Sequence, residues 1–313
     1  MKLKLFDLHC DTASVIYDNN LKLNDSPLHV SLDKSDAYDE YCQIMAIWAQ
    51  DKIKDDEEAF RVFHNIADNL MTEFERLDDR ITYVRSAEGL LNAKTKAKAF
   101  LSVEDARSLC GRLDRLEIMH ARGVRFLTPL WAGKTIIGGA HDTNSGLTDF
   151  GKEVVKKCHE LGVITDISHA SEKSAEEMIE LAKEYGKTIF ASHSNSYTIC
   201  KHSRNLRDHQ FNEIKKLGGV IGISLHGPHI VENGNATIAD VIAHIEHYMS
   251  LGGENVVALG CDLDGTDFLP EGITDMSDLY KIADGLLHLN YSQEKVEKIF
   301  YQNAKTFVKN NVK

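Results

Sequence analysis

The chain has 313 residues, of which 42% are hydrophobic and 27% charged, the composition of a soluble globular protein with a sizeable core. Its net charge of −12 argues against nucleic acid as a partner. No apolar run reaches the ~20 residues of a membrane span, and no signal-peptide pattern opens the chain, so we expect a cytoplasmic protein. The six cysteines form no Cys-x-x-Cys pair, which fits reduced thiols.

Eight short apolar segments are predicted to be strands. In chain order they span 5–11, 43–49, 99–104, 124–130, 163–169, 188–193, 220–225 and 256–262. Between them, apolar residues recur at helical spacing in 59–77, 150–161, 174–185, 211–217 and 238–251. Several of these helices end in glycine before the next strand, as expected of repeated βα units: Gly123, Gly162, Gly218 and Gly252.

Eight strands alternating with helices predict an α/β fold, a (β/α)₈ TIM barrel of the metal-dependent hydrolase type. An open, doubly wound parallel sheet is the alternative. We expect residues 1–313 to form one barrel domain, because no linker or low-complexity segment interrupts them. The extra length is assigned to 17–41, to 80–98 and to a C-terminal helix from 292 to about 309.

In such a barrel, functional side chains follow the carboxyl ends of the strands. Six candidates lie there: His9, Asp11, Glu104, His169, His193 and Asp262. Each alone has an ordinary explanation, such as a carboxylate at a helix start, a capping histidine or a turn aspartate. Their shared position at one end of the barrel favours a metal site instead. His9 and Asp11 are two residues apart on a strand and therefore share a face.

The candidates outnumber the ligands of a single tetrahedral zinc ion that keeps an open position, so two ions are predicted. His9 and Asp11 would hold one ion, His169 and His193 the other, and Glu104 would bridge them. A bridging water would attack the substrate, and Asp262 would carry its proton to the leaving group. Nitrogen and oxygen ligands favour zinc, with manganese, iron or cobalt as alternatives.

Motifs along nearly the whole chain resemble the membrane (renal) dipeptidase family of zinc peptidases. They lie at 6–12, 101–104, 123–128, 146–151, 161–169, 189–194, 203–206, 260–265 and 270–272. The resemblance implies a (β/α)₈ barrel that binds two zinc ions through the ligand assignment given above. Members of the family hydrolyse dipeptides, often accept a D-residue at the C-terminal position, and are commonly homodimers.

By the same resemblance, Arg204 would bind the terminal carboxylate of the substrate, and Asp262 would also handle its amino end. The chain departs from the family at Trp131, where studied members carry a histidine that faces the scissile carbonyl. An indole N–H can donate a hydrogen bond but supplies no charge to an oxyanion. His141 either substitutes in part for that histidine or is an ordinary loop residue.

Three functions remain open on the sequence alone. The first is a binuclear zinc dipeptidase that acts on small dipeptides, including L,D-dipeptides, through a metal-bridging water. The second keeps the two ions but acts on an N-acyl amino acid, a cyclic amide or a lactone. The third is a metal-retaining barrel that binds peptides without catalysis. Retention of Asp262 argues against the third, because binding alone requires no proton carrier.

Overall fold

Parallel strands form the centre of the computed structural model, which describes residues 3–49 and 56–313. The strands hydrogen-bond in the order β6-β5-β4-β2-β1-β8-β7, and β3 adds beside β4. All of these pairings are parallel. The strand bounds are β1 (Lys4–Cys10), β2 (Glu40–Trp48), β3 (Ile81–Tyr83), β4 (Ala97–Glu104), β5 (Val124–Thr128), β6 (Ile164–Thr165), β7 (Ile221–Ile223) and β8 (Val257–Leu259).

Two isolated bridges join the two ends of this sheet. Asp166, directly after β6, pairs in parallel with Phe190, and Ala191 pairs in parallel with Ile221 of β7. Residues 190–191 therefore occupy the place of a strand between β6 and β7. The ring closes as the predicted (β/α)₈ barrel and not as an open, doubly wound sheet.

The predicted sixth strand, 188–193, is reduced to these two bridging residues. Beyond them, side chains replace the strand ladder: the Ser192 amide donates to Asp166 Oδ1 (2.9 Å) and the His193 amide donates to Ser168 Oγ (3.2 Å). Strand β3 was not predicted. It lies in the segment 80–98 assigned to extra length, and three residues are too few to show a strand pattern.

Helices cover the outside of the barrel, and the five predicted between strands begin and end within three residues of their expected bounds. Gly162 (φ +75°) follows the helix α5 (Asp149–Leu161), and Gly252 (φ +82°) follows the helix α9 (Ile238–Ser250). Both adopt the left-handed conformation, as predicted for helix stops. Among the described residues, no helix combines the length and apolarity needed to span a membrane. The helices in these residues are α1 (Thr12–Asp18), α2 (Asp56–Arg76), α3 (Ala87–Asn92), α4 (Asp114–Ala121), α5 (Asp149–Leu161), α6 (Glu172–Glu184), α7 (Asp208–Lys216), α8 (Gly227–Ile230), α9 (Ile238–Ser250), α10 (Tyr280–His288), α11 (Gln293–Glu297) and α12 (Asn303–Asn311).

Aromatic side chains fill the lower part of the barrel. Phe6 stacks on Phe100 (ring centroids 6.5 Å apart), and Phe126 packs against Phe190 (5.5 Å). Phe190 in turn contacts Phe307 of α12 (5.4 Å), so the C-terminal helix covers this end. Burial of each such ring contributes roughly 1.5–3 kcal/mol. These rings form a packed core inside the barrel, and the cavity lined by the site residues opens at the carboxyl ends of the strands.

A register shift in β1 affects which way the side chains of His9 and Asp11 point. Phe6 and Leu8 belong to the cluster inside the barrel, whereas Cys10 belongs to the cluster between strands and helices. The register of β1 against β2 shifts between Asp7 and Cys10. Such a bulge changes the phase of the in–out alternation. His9 and Asp11 can therefore face the barrel axis above Phe6 and Leu8.

Candidate metal centre

The five predicted metal ligands meet at the carboxyl ends of the strands around the carboxylate of Glu104. Glu104 Oε2 lies 3.1 Å from His9 Nε2, and its Oε1 lies 2.7 Å from His169 Nε2. Asp11 Oδ2 is 3.6 Å from His9 Nε2. His193 Nε2 is 2.9 Å from His169 Nε2 and 3.8 Å from Glu104 Oε1. Glu104 thus lies between the His9–Asp11 pair and the two other histidines.

Protein groups alone leave part of this cluster without partners. His9 Nε2 and Asp11 Oδ1 are buried and make no hydrogen bond with any residue in 3–49 or 56–313. One ligand atom each from His9, Glu104 and His193 lie within 4.8 Å of one another, as do atoms of His9, Asp11 and Asp262. Buried imidazole nitrogens and carboxylate oxygens that converge in this way fit divalent metal ions.

Hydrogen bonds behind the cluster fix the orientation of two imidazole rings. His169 Nδ1 lies 2.9 Å from the carbonyl oxygen of Trp131, so it carries the proton and donates. His193 Nδ1 lies 2.6 Å from Ser192 Oγ, whose own hydroxyl donates to Asp166. Both rings therefore direct an unprotonated Nε2 toward Glu104, as metal-ligating histidines do.

Asp166 and Ser192 were missed in the sequence. Asp166 accepts from the Thr128 hydroxyl (2.7 Å) and from the amides of Ser168 and Ser192 (both 2.9 Å), which ties three neighbouring strand ends together. The available signal was the polar alternation Asp166-Ile167-Ser168 at the end of a buried strand. Polar residues at such positions require partners, because burying them unpaired is costly.

Several site residues adopt a backbone conformation that non-glycine residues rarely use. His169 has φ +70° and Asp262 has φ +61°, and Asp105, directly after Glu104, has φ +71°. Left-handed backbone at a non-glycine residue costs about 1–3 kcal/mol and is concentrated at functional sites. The surrounding hydrogen bonds therefore hold these ends of the strands in unfavourable conformations.

The charged residues of the site shift one another's pKa values. Burial alone would raise the pKa of the Glu104 carboxyl, but the imidazoles of His9 and His169 outweigh it and lower that pKa. Burial would likewise lower the pKa of His9, whereas the carboxylates of Glu104 and Asp11 raise it well above its usual range. The protein thus keeps Glu104 ionised in a buried position, which suits a ligand to cations.

Asp262 stands at the edge of the cluster, with its Oδ1 3.8 Å from His9 Nε2. Burial, reinforced by the carboxylates of Asp11 and Glu104, raises the pKa of Asp262 to about 8. Gly265 gives both aspartates room, since a Cβ atom at this glycine would overlap the carboxylate oxygens of Asp11 and Asp262. Any larger residue would displace the two groups together.

A cavity of about 340 Å³ opens onto the cluster and contains the predicted substrate residue Arg204 in its lining. Arg204 is 4% exposed, and all three nitrogens of its guanidinium are buried without a hydrogen bond to any described residue. Burial lowers the pKa of Arg204 to about 10, which leaves it charged at neutral pH. A buried cation whose N–H groups lack hydrogen-bond acceptors in this way indicates a binding site for an anion.

The wall of the cavity contains Trp131 and His141. Trp131 packs on Trp48 (ring centroids 4.9 Å apart), and its ring centroid is 6.3 Å from that of His169. His141 lies in the same wall, with Nδ1 2.8 Å from Ser203 Oγ. Burial, followed by the charge of Arg204, lowers the pKa of His141 to about 3. His141 is therefore neutral and adds no charge to the site.

Two further histidines of the cavity wall, His226 and His229, were not singled out from the sequence. They come shortly after β7: His226 directly precedes the short helix α8, and His229 lies on it. The signal that would have found them is the His-x-x-His spacing at the end of the predicted seventh strand, 220–225. The same rule that selected His169 and His193 applies to them.

Comparison with known proteins identifies a family for the chain. The family model described as membrane dipeptidase (peptidase family M19) matches residues 1–311. The chain is 30% identical over 220 residues to an uncharacterized protein in the pqqA 5′ region of Klebsiella pneumoniae, a match that covers 66% of this chain and 80% of that protein. It is also 30% identical over 228 residues to dipeptidase 3 of Homo sapiens, covering 70% of this chain but 46% of that protein, so it spans about half the length of this relative.

A solved structure shares the fold. The metallopeptidase of Rhodobacter sphaeroides, liganded with a phosphinate mimic of the dipeptide L-Ala-D-Ala, superposes with a TM-score of 0.92 at 22% identity. The superposition covers 100% of each chain. The chain therefore has the same overall fold as this Rhodobacter sphaeroides protein.

Proposed function

The chain belongs to the membrane dipeptidase family of metallopeptidases, and on that basis we propose that it hydrolyses the peptide bond of small dipeptides. The proposal includes dipeptides with a D-residue at the C-terminal position. The phosphinate mimic of L-Ala-D-Ala bound by the Rhodobacter sphaeroides enzyme supports this extension. We propose zinc as the metal, because the candidate ligands are imidazoles and carboxylates. A homodimer and a cytoplasmic location stay predictions of the sequence.

The observation that carries the proposal is the unpartnered guanidinium of Arg204 in the same cavity as the ligand cluster. A carboxylate can accept two parallel hydrogen bonds from a guanidinium. A dipeptide and an N-acyl amino acid carry a free carboxylate, whereas a simple cyclic amide or lactone carries none. Asp262 adds a carboxylate suited to a free amino group, which the N-acyl amino acid lacks. The dipeptide therefore uses both groups.

The proposed ion sites share Glu104. One would consist of His9, Asp11 and Glu104, and the other of His169, His193 and Glu104. When bound, two such ions polarise a scissile carbonyl and lower the pKa of an attacking water molecule toward neutrality.

The other residues bind the substrate and move the proton. Arg204 holds the terminal carboxylate and so fixes the distance from that end of the substrate to the scissile bond. Asp262, in its carboxylate form at the edge of the cluster, accepts a proton from the attacking water. Asp262 then donates that proton to the nitrogen of the leaving amine. Trp48 and Trp131 cover one wall of the cavity with apolar surface, which excludes water from the reacting bond.

The test compares substrates that differ only at the two ends. L-Ala-L-Ala, L-Ala-D-Ala, the amide L-Ala-L-Ala-NH₂ and N-acetyl-L-Ala are incubated with zinc-loaded and with chelator-treated protein. We expect metal-dependent hydrolysis of one or both dipeptides and weak activity on the other two compounds. Arg204→Ala should lower kcat/KM on the dipeptide by roughly 30- to 1,000-fold, because a desolvated carboxylate loses its partner.

The exposed Arg112, which pairs with Asp114, supplies the control variant Arg112→Ala. Its kcat/KM should equal that of the parent. Arg204→Ala should lose little further activity on the amide, which already lacks the carboxylate. Equal losses on dipeptide and amide would assign Arg204 to structure, and absence of dipeptide hydrolysis by the zinc-loaded parent would refute the proposed function.

A further inference from the structure

Part of the cavity wall is a group of imidazoles that the proposed reaction does not use. His226 and His229 line the cavity together with Arg204. Their ring centroids are 4.2 Å apart. The ring of His202 packs against that of His229, with centroids 4.6 Å apart. The charge of Arg204 acts on all three rings. The guanidinium is thus surrounded by imidazoles on this side.

The hydrogen bonds of His226 assign its proton. Its Nδ1 lies 2.7 Å from Thr266 Oγ1, and the same hydroxyl oxygen accepts from the Phe268 amide at 3.0 Å. Among the described residues, His226 Nδ1 is the acceptor available to the Thr266 hydroxyl, so this nitrogen is unprotonated. Neutral His226 therefore carries its proton on Nε2, and no described residue accepts from that N–H.

The ring of His229 also has free hydrogen-bonding capacity. Within the described part of the chain, neither of its ring nitrogens forms a hydrogen bond, although its carbonyl accepts from Asn205. Burial, followed by the charge of Arg204, lowers the pKa of His226 to about 4 and that of His229 well below its usual range. Both rings are neutral at pH 7, and each presents one N–H donor.

This side of the cavity therefore presents the guanidinium and two imidazole N–H donors, beside one unprotonated imidazole nitrogen, on His229, that can accept. One carboxylate of a bound dipeptide can satisfy Arg204 but not the two imidazoles as well. A cationic side chain would be repelled by Arg204, and an apolar one would cover the N–H groups without a partner. A second carboxylate would provide acceptors for both rings.

We propose that His226 and His229 are specificity-determining residues that select dipeptides with an acidic C-terminal residue, glutamate or aspartate. The inference rests on the proposed function. The terminal carboxylate and the side chain of that residue leave the same carbon atom. Binding of the carboxylate by Arg204 consequently places that side chain in the same cavity as the two imidazoles.

The test uses L-Ala-Glu and L-Ala-Gln, which are nearly isosteric and differ in charge, each with an L- or D-configured C-terminal residue. For the zinc-loaded parent we expect kcat/KM on the glutamate dipeptide to exceed that on the glutamine dipeptide at least 10-fold, since hydrogen bonds to charged groups are the stronger ones. His226→Phe and His229→Phe keep a ring but remove the donors. Each should bring the ratio below about 3-fold.

His288→Phe supplies the matched control, because His288 is an exposed histidine on α10 outside the cavity. It should keep the ratio of the parent. Hydrolysis of L-Ala-L-Ala and L-Ala-Gln without preference for L-Ala-Glu overturns this inference alone. A preference for L-Ala-Glu that persists in both His226→Phe and His229→Phe also overturns this inference alone. If the parent hydrolyses no dipeptide at all, the proposed function fails together with it.

Discussion

The carbonyl oxygen of Trp131 lies 2.9 Å from Nδ1 of His169. The main chain at this position therefore orients one candidate ligand, while the indole of the same residue packs on Trp48 in the cavity wall. The two contributions are separable, because a substitution of the side chain leaves the carbonyl in place. A substitution at position 131 can thus alter the substrate cavity without altering the ligand cluster.

Trp131→His is expected to keep the metal content of the parent and to lower kcat/KM on a dipeptide by about 2- to 10-fold, because an aromatic contact worth roughly 0.5–1.5 kcal/mol is lost. Steady-state kinetics and elemental analysis check both statements. Trp131→Phe, which retains an aromatic wall, should lose less. A rise in kcat for Trp131→His would instead mean that the missing imidazole limits the rate.

His169→Ala removes one candidate ligand and should release at least one metal ion per chain, whereas the parent should bind about two. The measurement is elemental analysis after dialysis against metal-free buffer. His120→Ala, at the end of α4 outside the cluster, is the control and should keep both ions. Full metal content in His169→Ala, Glu104→Ala and His193→Ala alike would contradict the ligand assignment.

Ser192→Ala interrupts the hydrogen bonds that connect Asp166 to His193 Nδ1. Loss of such a group behind a ligand typically lowers metal affinity 10- to 100-fold. A titration with a competing zinc chelator should show this decrease, with an unchanged circular dichroism spectrum. Ser250→Ala, on the exposed end of α9, should bind zinc like the parent. An unchanged affinity in Ser192→Ala would separate this serine from the site.

Asp262→Asn keeps the size of the side chain but cannot carry a proton. Turnover should fall about 10²- to 10⁴-fold while the metal content stays that of the parent. Rapid-quench kinetics on the metal-loaded variant, alongside elemental analysis, tests the two halves of this statement. Loss of metal in proportion to activity would make Asp262 a ligand.

His244 on α9 makes the stability of the protein depend on pH. It is fully buried, its Nδ1 accepts from the Ser196 amide (3.0 Å), and its Nε2 donates to the Ile230 carbonyl (2.9 Å). Burial lowers its pKa from 6.5 to about 4, so between these values the unfolded chain binds a proton that the folded chain does not. His244 should therefore lower the free energy of unfolding as the pH falls through this window, with a contribution of about 2 kcal/mol at pH 5.

Urea denaturation at pH 7, 6 and 5 measures this slope. His244→Gln can retain both hydrogen bonds without titrating, and its unfolding free energy should decrease less between pH 7 and pH 5. His288→Gln controls for the loss of one imidazole from the exposed surface. The same slope in His244→Gln and in the parent would place the acid sensitivity elsewhere.

The sequence was most informative at positions where a ligand-type side chain also lies at the end of a predicted strand. Strand alternation predicted that the side chains of His9 and Asp11 share a face, and Asp11 Oδ2 lies 3.6 Å from His9 Nε2. The register shift between Asp7 and Cys10 could not be predicted, since it arises from pairing with β2. Likewise, the hydrogen bond from Ser192 to Asp166 joins residues 26 apart, and local patterns do not encode such contacts.

Arg204 could not have been selected as a site residue from local sequence patterns. Only the resemblance to a family selected it among the arginines of the chain, because its burial and its lack of partners are tertiary properties. His226 and His229 had the right position after a predicted strand, but the proposed ligand set was already complete without them.

The carboxylate of Asp7 accepts hydrogen bonds from the His9 amide (3.3 Å) and from the Cys261 amide (2.9 Å), which lies 254 positions further along the chain. These hydrogen bonds join the first strand to the segment that follows the last strand, next to His9 and Asp262 in the chain. During folding, neither residue can reach its final place until nearly the whole polypeptide has been made and the ring has closed. Contacts between such distant parts of a chain form slowly. Metal uptake should therefore be among the last events of maturation, and its rate would report on barrel closure.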